Sequence, residues 1–197
     1  MKAYHKKDFF HQKAKKDGLR ARSAYKLQEI DRRCQIFQRG MDVLDLGCAP
    51  GSWLEYAHSK VGKKAKLLGF DLENVNFAQK NISFAQEDIL SLGRDNELLA
   101  AHKSFDVIMS DAMVNTSGIV DSDCANSIEL CQKALDLAVQ DDFLKSGGHL
   151  IVKIFEGPGF EEFNKNFKKF FKKNKRIIPE ASRIKSRELY LIGLNKR

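Results

Sequence analysis

Short apolar runs alternate along the chain with longer segments whose apolar residues recur at helical spacing. The runs have the length and composition of buried strands and lie at positions 43–46, 67–70, 82–85, 107–109 and 150–155. Helices are predicted from near Gly51, from Leu72 (a short one), from Ser91 and from Val120, the last reaching Gly147. This alternation predicts an α/β fold with a mostly parallel sheet and helices on both faces.

The two ends of the chain depart from this alternation. Residues 1–22 are polar and basic, and we interpret them as a flexible or partly helical N-terminal arm. A helix is predicted from Ser23 as N-cap to Gly40. We expect residues 23–197 to form a single domain. Further on, phenylalanines at helical spacing predict a helix over 160–173, and the runs 176–178 and 188–192 predict an antiparallel strand pair at one edge of a seven-stranded sheet.

The composition is that of a globular protein with a basic surface. Of the 197 residues, 43% are apolar and 30% are charged, which favours a folded domain over a disordered chain. The formal net charge of +8 favours a polyanionic partner, with RNA or DNA ahead of an anionic membrane. A merely basic soluble protein carries the same charge, so composition alone leaves both interpretations open.

Neither a metal site nor a membrane segment is indicated. The four cysteines form no Cys-x-x-Cys pair and have no histidine at zinc-ligand spacing, so we expect free thiols and no metal. The first residues lack the apolar core of a signal peptide, and no apolar stretch approaches the roughly 20 residues that span a bilayer. We therefore expect a cytoplasmic protein without a membrane partner, and a monomer, because no apolar helix face is left over.

A lysine and an aspartate carry the strongest signal for chemistry. Lys153 interrupts the apolar run 149–155, and a buried parallel strand tolerates few charges. Asp111 ends the run 105–111, and ligands bind at the carboxyl ends of the strands in open α/β sheets. A desolvated lysine is a candidate general base, so the two residues predict an active site. The alternative is a buried ion pair without chemistry.

A glycine turn after the first strand predicts a nucleotide site, with a turn of purely structural importance as the alternative. The sequence Asp-Leu-Gly-Cys-Ala-Pro-Gly-Ser-Trp at 45–53 gives a strand, a turn and a helix start, and Asp71 ends the next strand, where an acidic residue binds a ribose. Ala49 and Ser52 break the dinucleotide fingerprint, so the turn favours S-adenosylmethionine, which has no pyrophosphate, over NAD. Asp88 is placed to contact adenine or is a solvated turn residue, and Trp53 packs in the core or walls the pocket.

Ordered motifs along the chain resemble those of one enzyme family. The motifs are the glycine turn, Ser110-Asp111 and Val152-Lys153, and the segments 20–27, 181–183 and 187–191. On these motifs, residues 14–193 resemble the FtsJ/RrmJ family of S-adenosylmethionine-dependent RNA 2′-O-methyltransferases. The resemblance implies the Rossmann-like methyltransferase fold, S-adenosylmethionine as cofactor and RNA as substrate. It also implies a catalytic tetrad of Lys26, Asp111, Lys153 and Glu188. The implied cofactor site comprises Gly51, Trp53, Asp71, Asp88 and Asp111, to which the turn adds Gly47.

The resemblance also ranks the possible substrates. A short single-domain chain is similar to the bacterial members that methylate a uridine ribose in large-subunit ribosomal RNA. Relatives that act on tRNA or on mRNA caps have the same tetrad, so those substrates stay open. A non-catalytic RNA-binding or ribosome-assembly factor is disfavoured by the four tetrad residues. A small-molecule methyltransferase is disfavoured by the basic arm, and a DNA methyltransferase by the lack of an Asn-Pro-Pro-Tyr-like or Pro-Cys motif.

Two departures from the family pattern concern the pocket. Val114 stands before Asn115, where the family usually has proline; its loss frees a φ angle and is expected to loosen that wall. Cys48 and Ser52 replace alanine and glycine, and both are small enough for cofactor binding to survive.

The resemblance and the residue types together suggest a division of labour. Lys153 is the expected general base, Asp111 orients it, and Lys26 and Glu188 shape the ribose pocket. Burial and Lys26 favour the neutral amine of Lys153, whereas Asp111 and Glu188 favour its ammonium, and the sequence leaves that balance open. Basic side chains of the arm and of the 160–173 helix, with Arg183, Lys185 and Arg187, either bind RNA phosphates or form an ordinary solvated face.

Overall fold

In the computed structural model, which describes residues 2–75, 79–113, 116–182 and 187–197, seven strands form one sheet. Their order across the sheet is β3-β2-β1-β4-β5-β7-β6. Strand β7 runs in the direction opposite to that of the other six. The strands are β1 Val43–Leu46, β2 Leu67–Asp71, β3 Ile82–Gln86, β4 Phe105–Ser110, β5 Leu144–Phe155, β6 Phe171–Ile177 and β7 Glu188–Lys196. The predicted α/β fold, with its parallel centre and antiparallel edge, is confirmed.

Helices cover both faces of this sheet, as the apolar runs require. Side chains of α5 and α6 pack on one face, and side chains of α2 and α3 pack on the other. Because both faces are covered, the central strands are apolar on both sides. The helices are α1 Lys2–Lys16, α2 Ser23–Cys34, α3 Ser52–Val61, α4 Glu97–His102, α5 Val120–Val139 and α6 Phe160–Lys168, with a 3₁₀ turn at Ile89–Ser91.

The insertion of β7 between β5 and β6 places the end of the chain beside Lys153. In the antiparallel register, Lys153 of β5 lies opposite Tyr190, and Phe155 lies opposite Glu188. Because directly opposed residues point to the same face of a sheet, Lys153 and Tyr190 share the face that α2 and α3 cover. Residues separated by more than 30 positions in the sequence are thereby brought together.

The predicted limits of α2 and α5 are wrong. The N-cap of α2 is Arg22, and the helix ends at Cys34 because Gln35 takes a left-handed conformation. The Asp31 carboxylate then accepts hydrogen bonds from the backbone N–H groups of residues 36 and 37, which fixes the chain as it leaves the helix. Helix α5 ends at Val139, and β5 starts at Leu144, ahead of the glycine pair that was expected to end the helix.

The predicted helix over 160–173 is also too long. Helix α6 ends at Lys168, and residues 171–177 form the edge strand β6. The ring of Phe171 lies against Gly193 of β7, where an added Cβ would come within 2.4 Å of the ring. The sequence pattern concealed this change because Phe171 continues the helical spacing of the phenylalanines before it.

The remaining elements follow the predictions in part. The segment expected to start a helix near Ser91 forms the 3₁₀ turn and then α4, which the Asn96 side chain caps. Residues 72–75 are not helical, and 76–78 lie outside the described residues. Most of the basic arm forms α1. The ring centroid of Phe10 in this helix lies 5.6 Å from that of Tyr25 in α2. The division into an arm and a domain at residue 22 stays a prediction.

A buried lysine near the end of the chain closes the end of α5. The Lys196 ammonium donates hydrogen bonds to the backbone oxygens of Ala138 (2.9 Å) and Leu144 (2.6 Å) and to the Asp142 carboxylate (2.6 Å). Helix C-termini leave carbonyl groups without partners, so this ammonium satisfies oxygens that burial would otherwise strand. The bond with Lys196 lowers the pKa of Asp142.

Replacement of Lys196 by methionine should therefore destabilise the fold. The change preserves the buried stem but leaves carbonyl oxygens unpaired, and we expect the free energy of unfolding to fall by about 3 kcal/mol. Urea denaturation measures this quantity. The matched control is Lys172→Met on the exposed side of β6, which should change it by about 0.5 kcal/mol or less. Equal urea midpoints for the two variants would contradict the capping role.

Candidate active site

A cleft of about 770 Å³ opens where β1, β2, β4 and β5 end. In a doubly wound sheet this edge is the place where ligands bind. The structure brings most of the predicted site residues to the cleft wall: Lys26, Gly47, Asp71, Asp88, Asp111, Lys153 and Glu188. The two others, Gly51 and Trp53, lie behind this wall.

Two lysine–carboxylate pairs face each other inside the cleft. The Lys153 ammonium lies 3.1 Å from the Asp111 carboxylate and donates a 2.6 Å hydrogen bond to the backbone oxygen of the same residue. The Lys26 ammonium lies 2.7 Å from the Glu188 carboxylate. All four side chains are largely buried, so little solvent screens these charges. The arrangement is an alternating set of two cations and two anions.

The lysines hold both carboxylates in their charged form. Burial by itself raises the pKa of Asp111, but Lys153 and Lys26 outweigh it, and the net pKa lies below the ordinary value. The same holds for Glu188, where burial raises the pKa but Lys26 outweighs it, and the net pKa lies below the ordinary value. Each lysine therefore faces an anion at neutral pH.

Tyr190 is a member of this group that the sequence reasoning missed. Its hydroxyl donates a 2.7 Å hydrogen bond to the Asp111 carboxylate oxygen that also faces Lys153. Its ring lies 5.7 Å from the Lys26 ammonium. Burial and the charge of Asp111 raise the pKa of Tyr190 well above its usual value, so it stays a phenol that can donate. Its position two residues after Glu188 on a strand, hence on the same face, is the signal that could have identified it.

A second missed residue is Asp45, at the centre of β1. It is fully buried, and neither carboxylate oxygen has a hydrogen-bond partner among the described residues. Burial, helped by the charges of Asp111 and Asp71, raises the pKa of Asp45 well above its ordinary value. The protonated acid is therefore favoured beneath the cleft floor. A carboxyl group in an apolar strand is the same signal that singled out Lys153.

The glycine turn closes the floor of the cleft. Gly47 has a left-handed φ of 81°, and a Cβ there would lie 2.6 Å from the Cα of Ala112, so no side chain fits. The Asp71 carboxylate accepts hydrogen bonds from the backbone N–H groups of Ala49 (2.8 Å) and Glu73 (2.9 Å). Asp71 thus fixes the turn and still has lone pairs for a ligand hydroxyl.

Gly51 and Trp53 act from behind the cleft wall. Gly51, with a φ of 98°, is the N-cap of α3. The buried Trp53 indole donates a 2.9 Å hydrogen bond to the backbone oxygen of Ser23, and its ring lies 5.8 Å from that of Tyr190. The Ser52 hydroxyl, one of the two departures in the turn, bonds that of Ser23 at 2.8 Å. Trp53 therefore packs in the core, where it contacts Ser23, which lines the cleft, and Tyr190.

Asp88 is a turn residue that also lines the cleft, and its contact with adenine stays a prediction. It is exposed, it lines the cleft, and its carboxylate accepts a 3.0 Å hydrogen bond from the Leu90 N–H, which caps the 3₁₀ turn. The altered loop at Val114 and Asn115 lies outside the described residues, as do Arg183 and Lys185.

Two further features of the described residues concern metal binding and membrane insertion. Within the described ranges, no group of three or more His, Cys, Asp or Glu side chains is placed to hold a metal ion. Of the helices that the structure describes, none combines the length and the apolar character needed to cross a membrane.

Comparison with known proteins connects this cleft to RNA methylation. A family model described as FtsJ-like methyltransferase matches residues 19–196. The protein named ribosomal RNA large subunit methyltransferase E is 43% identical in Desulfatibacillum aliphaticivorans, over 97% of this chain and 91% of the relative. The protein of that name in Bdellovibrio bacteriovorus is 40% identical, over 98% and 99%. A crystal structure of a Plasmodium falciparum ribosomal RNA methyltransferase superposes with a TM-score of 0.78 at 30% identity, covering 90% of this chain and 98% of that one. The predicted methyltransferase fold is thereby confirmed.

The buried acid of β1 gives the site a testable pH signature. Because the folded-state pKa of Asp45 lies above its unfolded value, its contribution to stability is present below about pH 4 and is lost as the pH rises toward the folded pKa. Asp45→Asn preserves the shape and removes the titration. We expect this variant to gain stability over the wild type between about pH 4 and 8.

Urea unfolding at a series of pH values measures this difference. The control is Asp95→Asn, the same substitution at an exposed position in a loop. A constant or shrinking advantage of Asp45→Asn with rising pH would count against a buried protonated acid.

Proposed function

The chain belongs to the FtsJ-like methyltransferase family, and on that premise we propose that it methylates a ribose 2′-hydroxyl of large-subunit ribosomal RNA, using S-adenosylmethionine. The observation that carries the proposal is the pairing of Lys153 with Asp111 at the cleft, together with the pair of Lys26 and Glu188. A reaction at a hydroxyl needs a group that takes its proton, and this set supplies one.

The cleft residues fit S-adenosylmethionine. Gly47 lines the cleft, and its lack of a side chain lets Ala112 pack directly against the turn. Asp71, Asp88 and Asp111 offer carboxylate oxygens to hydroxyl, amino and ammonium groups, and we propose that they hold the cofactor with the backbone of Gly47. Gly51 and Trp53 support them by fixing the start of α3. When bound, the cofactor supplies a methyl group on a positively charged sulfur that departs as a neutral thioether.

Lys153 is the proposed general base. Its neutral amine accepts the proton of the 2′-hydroxyl while the oxygen is methylated, and the ammonium that results lies 3.1 Å from the Asp111 carboxylate. Asp111 is held for this role by the Tyr190 hydroxyl, which bonds the same oxygen. The charge that forms on Lys153 is thus stabilised by a carboxylate already in place.

Lys26 and Glu188 position the ribose. Their 2.7 Å pair lies beside Tyr190, which bonds Asp111, and burial restricts both side chains to a narrow range of positions. Such restraint reduces the entropy lost when a substrate hydroxyl is aligned for attack. Lys26 also adds positive charge near the site, which attracts the phosphates that flank a ribose in RNA.

Large-subunit ribosomal RNA is the substrate that the relatives support. The two bacterial relatives are named for it, and this chain covers more than nine-tenths of each of them. A uridine is the proposed nucleoside, as the resemblance implies. We further propose that the protein works as a monomer in the cytoplasm, where ribosomal RNA is modified in bacteria.

The central test replaces the proposed base. Lys153→Ala should lower kcat for methyl transfer to large ribosomal subunits at least about 100-fold, because no other group at that position accepts the proton. Transfer of labelled methyl to particles from cells lacking the enzyme measures this, and nucleoside analysis identifies the product as a 2′-O-methyluridine. Affinity for S-adenosylmethionine should change little.

Two further variants separate chemistry from folding. Lys153→Arg preserves a cation beside Asp111 but cannot act as a base near neutral pH, so it should be nearly as inactive as Lys153→Ala. Lys172→Ala, on the exposed side of β6, removes one positive charge and should leave kcat unchanged. Full activity of Lys153→Arg would show that only the ion pair matters. Methylation of tRNA but not of ribosomal particles by the wild type would overturn the substrate.

The basic arm gives a second test of the RNA substrate. Lys15 and Lys16 end α1 and are exposed. If they contact phosphates, Lys15→Gln/Lys16→Gln should reduce the slope of log affinity against log salt by about 0.7 for each charge removed. RNA binding at several salt concentrations measures the slope, with Lys63→Gln/Lys64→Gln as a control of equal charge in the turn after α3. Equal slopes for both double variants would place the arm outside the RNA contact.

A further inference from the structure

A second cavity adjoins the cleft on the side of α5. This outer lobe has a volume of about 290 Å³ and is lined by Thr116, Gly118, Val120, Asp123, Cys124, Phe155 and Arg187. Thr116 and Phe155 line both cavities, so the lobe is continuous with the cleft. None of the tetrad residues belongs to the lobe lining, and the proposed reaction leaves the lobe without a role.

The lobe lies next to the proposed base, Lys153, because Phe155 of the same strand forms part of its lining. Phe155 follows Lys153 by two residues, so the two side chains leave the same face of the strand about 6.6 Å apart. A small recess that touches Lys153, Phe155 and Asn126 joins the two regions. In a nucleotide, the base and the 2′-hydroxyl are attached to neighbouring ribose carbons. A ribose whose hydroxyl meets Lys153 can therefore place its base in this lobe.

The far wall of the lobe is already fixed in shape. The Asp123 carboxylate accepts hydrogen bonds from the backbone N–H of Ser117 (2.7 Å), from its hydroxyl (2.9 Å) and from the Gly118 N–H (3.2 Å). These bonds, led by the one from the Ser117 backbone, lower the pKa of Asp123. The carboxylate is thus hydrogen-bonded to the loop of residues 117 and 118, and three donors partly neutralise its charge.

The lining has the chemistry of a base pocket. Val120 and the half-buried Phe155 offer apolar surface, and Phe155 adds a π-face on which a base can stack. In the adjoining recess, Asn126, whose side chain makes no hydrogen bond within the described residues, offers both a donor and an acceptor for a base edge. Arg187 is exposed at the rim, where its guanidinium is available to a phosphate.

We propose that the outer lobe receives the nucleobase of the nucleotide that is methylated, stacked on Phe155 and packed against Val120, with Arg187 at the adjoining phosphate. This inference rests on the proposed function, since it assigns a place to the base whose ribose that function modifies. Extrusion of the target nucleotide from its stack is the expected mode of entry, because a paired base cannot reach a pocket of this kind.

Four single variants test the assignment. Phe155→Leu removes the π-face and preserves apolar volume, and Val120→Ser removes an apolar wall. Each should raise KM for large ribosomal subunits about five- to tenfold, with affinity for S-adenosylmethionine unchanged. The matched controls should leave KM unchanged: half-buried Phe170→Leu at the opposite end of the sheet, and Leu98→Ser, which is 37% exposed where Val120 is 38% exposed.

A cross-linking experiment supplies a readout independent of turnover. The wild-type enzyme first maps the methylated nucleotide, and a photoreactive base is then placed at that position in the RNA. We expect cross-links to peptides that contain residues 116–124 or Phe155. Wild-type KM for both lobe variants, or cross-links only elsewhere, would overturn the base pocket while leaving the proposed function in place. A wild-type enzyme that methylates no RNA would instead overturn the proposed function, and the base pocket with it.

Discussion

The mutual neutralisation of buried charges at the carboxyl edge of the sheet is the constraint on which the site depends. Two lysines and two carboxylates lie in a cleft where each alone would be costly to bury, and the pairs at 3.1 Å and 2.7 Å offset that cost. Removing one partner leaves the other uncompensated. The same pairing holds the four side chains in a fixed arrangement, which is what the proposed reaction requires of them.

The topology of the sheet decides which residues can join this arrangement. If β7 lay at the edge, Glu188 and Tyr190 would be separated from Lys153 by another strand. Because β7 is inserted next to β5, Tyr190 lies directly opposite Lys153, and its hydroxyl reaches Asp111. The late antiparallel strand therefore completes a site that the parallel strands alone leave unfinished, and the buried Lys196 near its other end ties the strand to α5.

Sequence reasoning predicted what depends on local pattern and on residue type. Apolar runs gave the strands, and a lysine in an apolar strand led to the site, because burial of a charge is visible in the pattern itself. The end of α6 was mispredicted because Phe171 fits both a helix and a strand, and only contact with Gly193 decides between them. Tyr190 was missed because its importance lies in Asp111 and Lys26, which are distant in sequence. Asp45 was overlooked although its signal, a carboxyl group in an apolar strand, is visible in the pattern. The roles of the tetrad stay predictions, since contacts alone do not reveal which group moves a proton.

The link between the starts of α2 and α3 has a consequence for how the two ligands communicate. Ser23 receives a hydrogen bond from Trp53 and shares another with Ser52, so the helix that carries Lys26 is fastened to the helix that begins at the glycine turn. If ligand binding displaces the turn, this link carries the displacement to the helix that holds Lys26. The two binding equilibria are then coupled, and linkage requires each ligand to change the affinity for the other by the same factor.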